Sequence, residues 1–67
     1  MKIGEPYKAT IEEIIKNEKQ PEVIVHKLKI YMLENIEYFN SLIPGLDVGW
    51  LAKEIYLQNK NRMNYGR

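Results

Sequence analysis

Two helix-breaking positions, Pro21 and the pair Pro44–Gly45, delimit the longest helical pattern in this 67-residue chain. Proline has no backbone N–H donor and disrupts a helix interior, but it suits the first helical position. The residue before a proline is biased away from helix, and glycine readily adopts a positive φ. The sequence therefore predicts one long helix over 21–42, followed by a turn.

This central segment is apolar over a wide arc. At 100° per residue, most of its apolar side chains fall within roughly 160° of the circumference, whereas a surface helix usually has an apolar stripe of about 100°. Val23, Ile30 and Leu33 lie outside the arc and form a second, smaller patch. The residues of the arc are Ile24, Val25, Leu28, Tyr31, Met32, Ile36, Tyr38, Phe39, Leu42 and Ile43.

A shorter helix is predicted on the N-terminal side, over 10–19. Thr10 followed by Glu13 has the spacing of a capping box, in which each side chain bonds a backbone N–H of the other's residue. Ile11, Ile14 and Ile15 follow at the spacing of one helix face. These three isoleucines are the predicted core contribution of the first helix.

Another helix is predicted over 47–60, with Asp47 as its N-cap because an aspartate carboxylate accepts backbone N–H bonds at that position. From Gln58 onward the apolar pattern decays into a polar, basic segment. We therefore expect a mobile tail at 61–67. The inward stripe of this helix consists of Val48, Leu51, Ala52 and Ile55.

Together these segments predict an all-α fold, a compact three-helix domain with short, long and short helices. The whole chain, 1–67, forms this single small domain, and residues 1–8 form an N-terminal arm. A chain of this length buries only about 60% of the surface that its unfolded form exposes. The core is therefore expected to be small.

Two short helices are not expected to cover the wide apolar arc, so the sequence predicts a homodimer. Alternating a and d positions of a heptad occur in the central helix, with Asn35 as the polar member that can set the register of a pair. Alternatively, two heptads arise easily in any amphipathic helix, and Asn35 bonds to a loop. The predicted dimer interface consists of Val25, Leu28, Met32, Asn35, Phe39 and Leu42.

Trp50 and Leu57 point about 160° to 180° away from the inward stripe of the last helix, by the helical period. Tryptophan is enriched at binding hot spots. We therefore predict a partner-binding surface formed by Trp50 and Leu57, together with Ile30 and Leu33 of the second patch. The alternative is that Trp50 packs on the N-terminal arm through Ile3 or Tyr7.

Few side chains are suited to catalysis. The chain has no cysteine, and Ser41, Thr10 and Asp47 are its only serine, threonine and aspartate. A nucleophile with a base and an orienting acid cannot be assembled from this set, so we expect no enzymatic activity. Glu22 and His26 have the spacing of half a metal site, but no second cluster completes it. We expect neither a metal nor another cofactor.

Nucleic acid is the alternative partner. The net charge of +1 gives no global attraction to polyanions, but the segment from Asp47 onward carries four cations and two acids, hence +2. Asparagine and arginine are residue types that contact base edges. The candidate nucleic-acid residues are Lys53, Asn59, Lys60, Arg62 and Arg67.

The start of the chain lacks the apolar run of a signal peptide, and no apolar run approaches the roughly 20 residues of a membrane span. We therefore expect a soluble, cytoplasmic protein that does not insert into membranes. The function that the sequence favours is a helical protein-protein interaction or regulatory module. A DNA- or RNA-binding regulator is the alternative.

Overall fold

The fold is described from a computed structural model, which covers residues 3–64 and the side chains from Ile3 to Lys60. Over this range the chain has no strand and forms four helices, which confirms the all-α class. The radius of gyration is 11.6 Å, close to the roughly 11 Å expected for a compact chain of this length. None of the helices in residues 3–64 is both long and apolar enough to cross a bilayer. The helices are α1 (Tyr7–Asn17), α2 (Pro21–Glu34), α3 (Ile36–Leu42) and α4 (Val48–Asn64).

The predicted long helix over 21–42 is wrong in one respect, because it is interrupted at Asn35. This residue has φ −123° and ψ 38°, outside the helical region, and it separates α2 from α3. Its side-chain amide donates to the carbonyl of Tyr31 at 3.0 Å. Asparagine favours such positions because its side chain competes with the helical hydrogen bonds of the backbone. The three-helix prediction thus becomes four helices within residues 3–64.

The first helix begins at Tyr7 rather than Thr10, so the predicted capping box is wrong. Thr10 lies within the first turns of α1, where its N–H donates to the carbonyl of Pro6 at 3.1 Å. The residue that precedes the helix is Pro6, and no side chain caps it. The predicted inward face is confirmed, since Ile11 and Ile15 are buried and Ile14 is half-buried against the same core.

The turn before α4 follows the prediction. Gly45 has φ +74°, a conformation that side-chain-bearing residues rarely adopt. Asp47 is confirmed as a capping residue, since its carboxylate accepts the N–H of Trp50 at 3.2 Å. The helix continues to Asn64, so the predicted tail at 61–67 is helical in its first part. Residues 65–67 lie outside the described part of the chain.

One core joins all four helices. It includes predicted inward residues of the first and last helices, together with two residues of α2 and one of α3 that were assigned to a dimer interface. An aromatic cluster closes one end, where the Tyr7 and Tyr38 rings stack with centroids 3.8 Å apart. The Tyr38 hydroxyl also accepts the N–H of Gly4 at 2.8 Å, so part of the predicted arm packs on α3. The buried core residues are Ile11, Ile15, Ile24, Leu28, Met32, Phe39, Leu51, Ala52 and Ile55.

Candidate docking surface

A groove of about 470 Å³ runs between α2 and α4. Its wall is mostly apolar, with Val25 from α2 and Tyr56 and Leu57 from α4. Residues 21–29, the first part of α2, line it together with residues 53–57, from the middle of α4. The start of α2 therefore lies beside the middle of α4.

Several large apolar side chains of α2 and α4 face solvent, and one of them, Leu57, lines the groove. Trp50 is 54% exposed and Leu57 is 42% exposed, which confirms that both point away from the core. Ile3 and Tyr7 pack on the core cluster and Trp50 is not among its residues, which disfavours the alternative in which Trp50 packs on the N-terminal arm. Leu33 and Ile30, the other two predicted partner-binding residues, are also exposed.

The helical period relates these side chains to the groove. Trp50 lies three residues before Lys53, and Leu57 lies four residues after it, so all three share one side of α4. Leu33 lies four residues after Lys29, which lines the groove from α2. We call the groove, together with Trp50 and Leu33, the docking surface. Ile30 lies further around α2, at the outer margin of this surface.

Charged side chains are unevenly distributed over the docking surface. Lys29 and Lys53 line the groove from opposite helices, and both are exposed. His26 lies near Lys29, one turn earlier on α2, and Glu22 lies near the start of the same helix. Within residues 3–60 the only ion pair joins Lys27 and Glu18, at the α1–α2 connection. The two groove lysines thus have no carboxylate partner among the described side chains.

Comparisons of this chain with protein-family models, curated proteins and solved structures found no match. What the surface binds must therefore follow from its own shape and chemistry. The relevant features are an apolar groove, an exposed indole beside it and two lysines that face it.

Over residues 3–60 the structure does not bring the residues of the metal half-site or of the predicted nucleic-acid site together into one defined site. Glu22 and His26 both line the groove, but no group of three or more His, Cys, Asp or Glu side chains lies close enough to hold a metal within the described residues. Of the nucleic-acid candidates, Lys53 and Lys60 are exposed. Asn59 is half-buried, and its amide donates to the Ile55 carbonyl at 3.0 Å. The side chains of Arg62 and Arg67 lie outside the described part of the chain.

The predicted dimer interface is divided between the core and the surface. Leu28, Met32 and Phe39 have no exposed area, so the single chain holds them in its core rather than at an open face, and the dimer itself stays a prediction. Val25 lines the groove, Asn35 bonds within its own helix end, and Leu42 is half-buried. Helices α1, α3 and α4 cover the face of α2 that the prediction left for a partner.

Sequence reasoning missed the groove itself. Lys29 and Tyr56 were assigned no role, although each lies three or four residues from a residue that was singled out. The signal was present in the helical spacing of Lys29 with Leu33 and of Lys53 with Trp50. The groove could be found only by knowing that α2 and α4 lie side by side. The periodicity of a single helix does not show which other helix packs against it.

Proposed function

We propose that this protein is a non-enzymatic helical interaction module that binds another protein through the docking surface. The observation that carries the proposal is the exposure of Trp50, more than half of its surface, on a chain whose core is complete without it. Exposed tryptophan beside a groove is typical of binding hot spots, because the indole buries a large area at little entropic cost. The occupant would cover Trp50, Leu57 and Leu33 together, with Ile30 at the margin.

The closed core supports this proposal. Leu28, Met32 and Phe39 are fully buried within one chain, so the remaining exposed apolar side chains are not needed to complete the fold. Isolated exposed leucines are common, but Leu57 lines the groove, and Trp50 and Leu33 each lie one helical turn from a residue that lines it, so by the helical period they extend one apolar patch. Such a patch is typical of a protein-protein contact.

The test is affinity capture from the source cell, with the chain as bait and with or without nuclease. We expect the wild-type bait to retain a protein partner whether or not nuclease is present, and the Trp50→Ala bait to lose it. Ile36→Ala is the matched control, since Ile36 is also an exposed apolar residue but belongs to α3. Equal recovery by wild-type and Trp50→Ala baits would overturn the proposal.

The nucleic-acid alternative stays a prediction, and the same experiment addresses it. Recovery that depends on intact nucleic acid would favour a DNA- or RNA-binding regulator. The bond from Asn59 to the Ile55 carbonyl occupies an amide group that base recognition would use. The chemistry of the described residues therefore favours a protein partner.

The predicted homodimer is not part of this proposal. The dimer was predicted because two short helices were not expected to cover the apolar arc. In the structure, however, the core residues of α2 are covered within one chain. A dimer would have to use the docking surface or the outer side of α2 instead.

A further inference from the structure

We infer that the occupant of the docking surface is an acidic amphipathic helix of a partner protein. This inference rests on the proposed function and names the chemistry of its partner. It follows from the shape of the groove and from the charge of the side chains that face it.

The shape of the groove fits a helix. Two packed helices leave a channel along their line of contact, and a third helix can lie in it with one apolar face inward. From Glu22 to Leu33 the surface extends along 12 residues of α2, about 16 Å, which corresponds to about three helical turns. Val25, Tyr56 and Leu57 supply apolar lining, and Leu33 and Trp50 each lie one helical turn from a groove lysine. Apolar side chains at i, i+3, i+4 and i+7 of an incoming helix would contact this lining.

The charge of the groove selects an acidic helix. Lys29 and Lys53 approach the channel from opposite sides, and no described carboxylate pairs with either. Glutamates that flank the apolar face of an occupant would meet one lysine on each side. A helix flanked by lysines would instead bring like charges together in a partly desolvated site, which is unfavourable.

The charge also varies along the length of the groove. Glu22 is the acidic member of the groove and lies near the start of α2, about two turns before Lys29. Acidic residues of the occupant therefore belong at the level of the two lysines, and a neutral or basic residue belongs beside Glu22. An occupant with uniform negative charge along its whole length would fit less well.

The experiment uses the full chain and two synthetic helical peptides of about 16 residues, long enough to span the groove. Both have the same leucine face, and one carries glutamate at the flanking positions while the other carries lysine. Trp50 is the only tryptophan of the chain, so its fluorescence reports binding when the peptides contain none. We expect the glutamate peptide to bind about tenfold more tightly or better at about 50 mM salt, with the difference much reduced at about 1 M salt.

Charge reversal provides the decisive variant. Replacing Lys29→Glu and Lys53→Glu together should reverse the preference, so that the lysine peptide becomes the tighter ligand. The matched control is Lys8→Glu with Lys16→Glu, which makes the same change of net charge on exposed positions of α1. We expect the control to keep the preference for the glutamate peptide.

Each result bears on the inference. Equal affinity for both peptides, no binding of either, or the same preference after charge reversal would overturn the acidic-helix inference. The proposed function would still stand if a partner sensitive to Trp50→Ala is captured from the cell. A DNA or RNA oligonucleotide that changes Trp50 fluorescence when both peptides fail would overturn the inference and the proposed function together.

Discussion

Gly45 illustrates how one residue determines a chain reversal. Its φ of +74° lies in the left-handed region, where a Cβ atom is strained even though open space surrounds this position. We expect Gly45→Ala to lower the free energy of unfolding by about 1 kcal/mol, as measured by urea denaturation.

Gly49→Ala is the matched control for that substitution. Gly49 lies in the first turn of α4, and a Cβ there would meet the Asp47 carboxylate at 3.5 Å, an ordinary contact. Alanine is favoured over glycine in a helix by up to about 1 kcal/mol, so we expect this variant to be as stable as the wild type or more so. A loss of stability in both variants, of the same size, would contradict the role assigned to the φ of Gly45.

Trp50 and Leu51 are neighbours in sequence but belong to opposite sides of α4. Trp50 is exposed and Leu51 is in the core. We expect Trp50→Ala to change the free energy of unfolding by no more than about 1 kcal/mol. Leu51→Ala should cost about 2–5 kcal/mol because it leaves a cavity, which is a large part of the stability of a small domain. Thermal denaturation of the two variants compares them directly, and a Trp50→Ala loss as large as that of Leu51→Ala would place the indole in the core.

At the scale of the elements, helix ends decide how much of the fold the sequence reveals. The start of α2 at Pro21 and the cap of α4 at Asp47 are both evident from residue type, because each residue has one favourable position at a helix end. The break at Asn35 is not evident in this way. Asparagine is tolerated inside helices, and the apolar residues on either side continue the pattern of a single helix.

The start of α1 was missed for a related reason. Thr10 and Glu13 match a capping box, but the chain gains more by starting the helix at Tyr7, whose ring packs on Tyr38 and Phe39. Burial of aromatic surface outweighs a capping interaction of about 1 kcal/mol. The spacing of Thr10 and Glu13 indicates a possible cap, but it cannot show that the Tyr7 ring packs on residues more than 30 positions away in the sequence.

The two candidate caps make a testable pair. We expect Asp47→Ala to destabilise the protein by about 1 kcal/mol, because it removes the carboxylate that accepts the Trp50 N–H. Thr10→Ala should change stability by less than about 0.5 kcal/mol, because Thr10 lies inside α1 and alanine is a better helix former. Helical circular dichroism during urea denaturation measures both. A larger loss for Thr10→Ala than for Asp47→Ala would show that the cap lies at Thr10 after all.

At the scale of the whole molecule, the centre of the apolar arc of the central segment is covered within one chain. Ile24, Leu28 and Met32 of α2 and Phe39 of α3 are buried together with residues of α1 and α4. The periodicity identified these residues as apolar and inward. It could not say whether neighbouring helices or a second chain would cover them, because that depends on the turn at Asn35.

This arrangement predicts the oligomeric state. We expect sedimentation equilibrium at about 10 μM, where interfaces of micromolar affinity begin to populate, to give the mass of a monomer. A dimer mass at this concentration would contradict the expectation and show that an exposed apolar surface pairs with itself. Repeating the measurement with Trp50→Ala would then tell whether that surface includes the indole.

The docking surface exists only while α2 and α4 are packed together, because each helix supplies one wall and one lysine. A partner that binds this surface therefore also holds the fold closed, and at a free concentration 100 times its Kd it adds about 2.7 kcal/mol to the free energy of unfolding. For a domain with so small a core, this addition is a large fraction of the total free energy of unfolding, and a more stable fold is opened and cleaved by proteases less often. The lifetime of the protein in the cell would then follow the abundance of its partner, with unbound copies removed first.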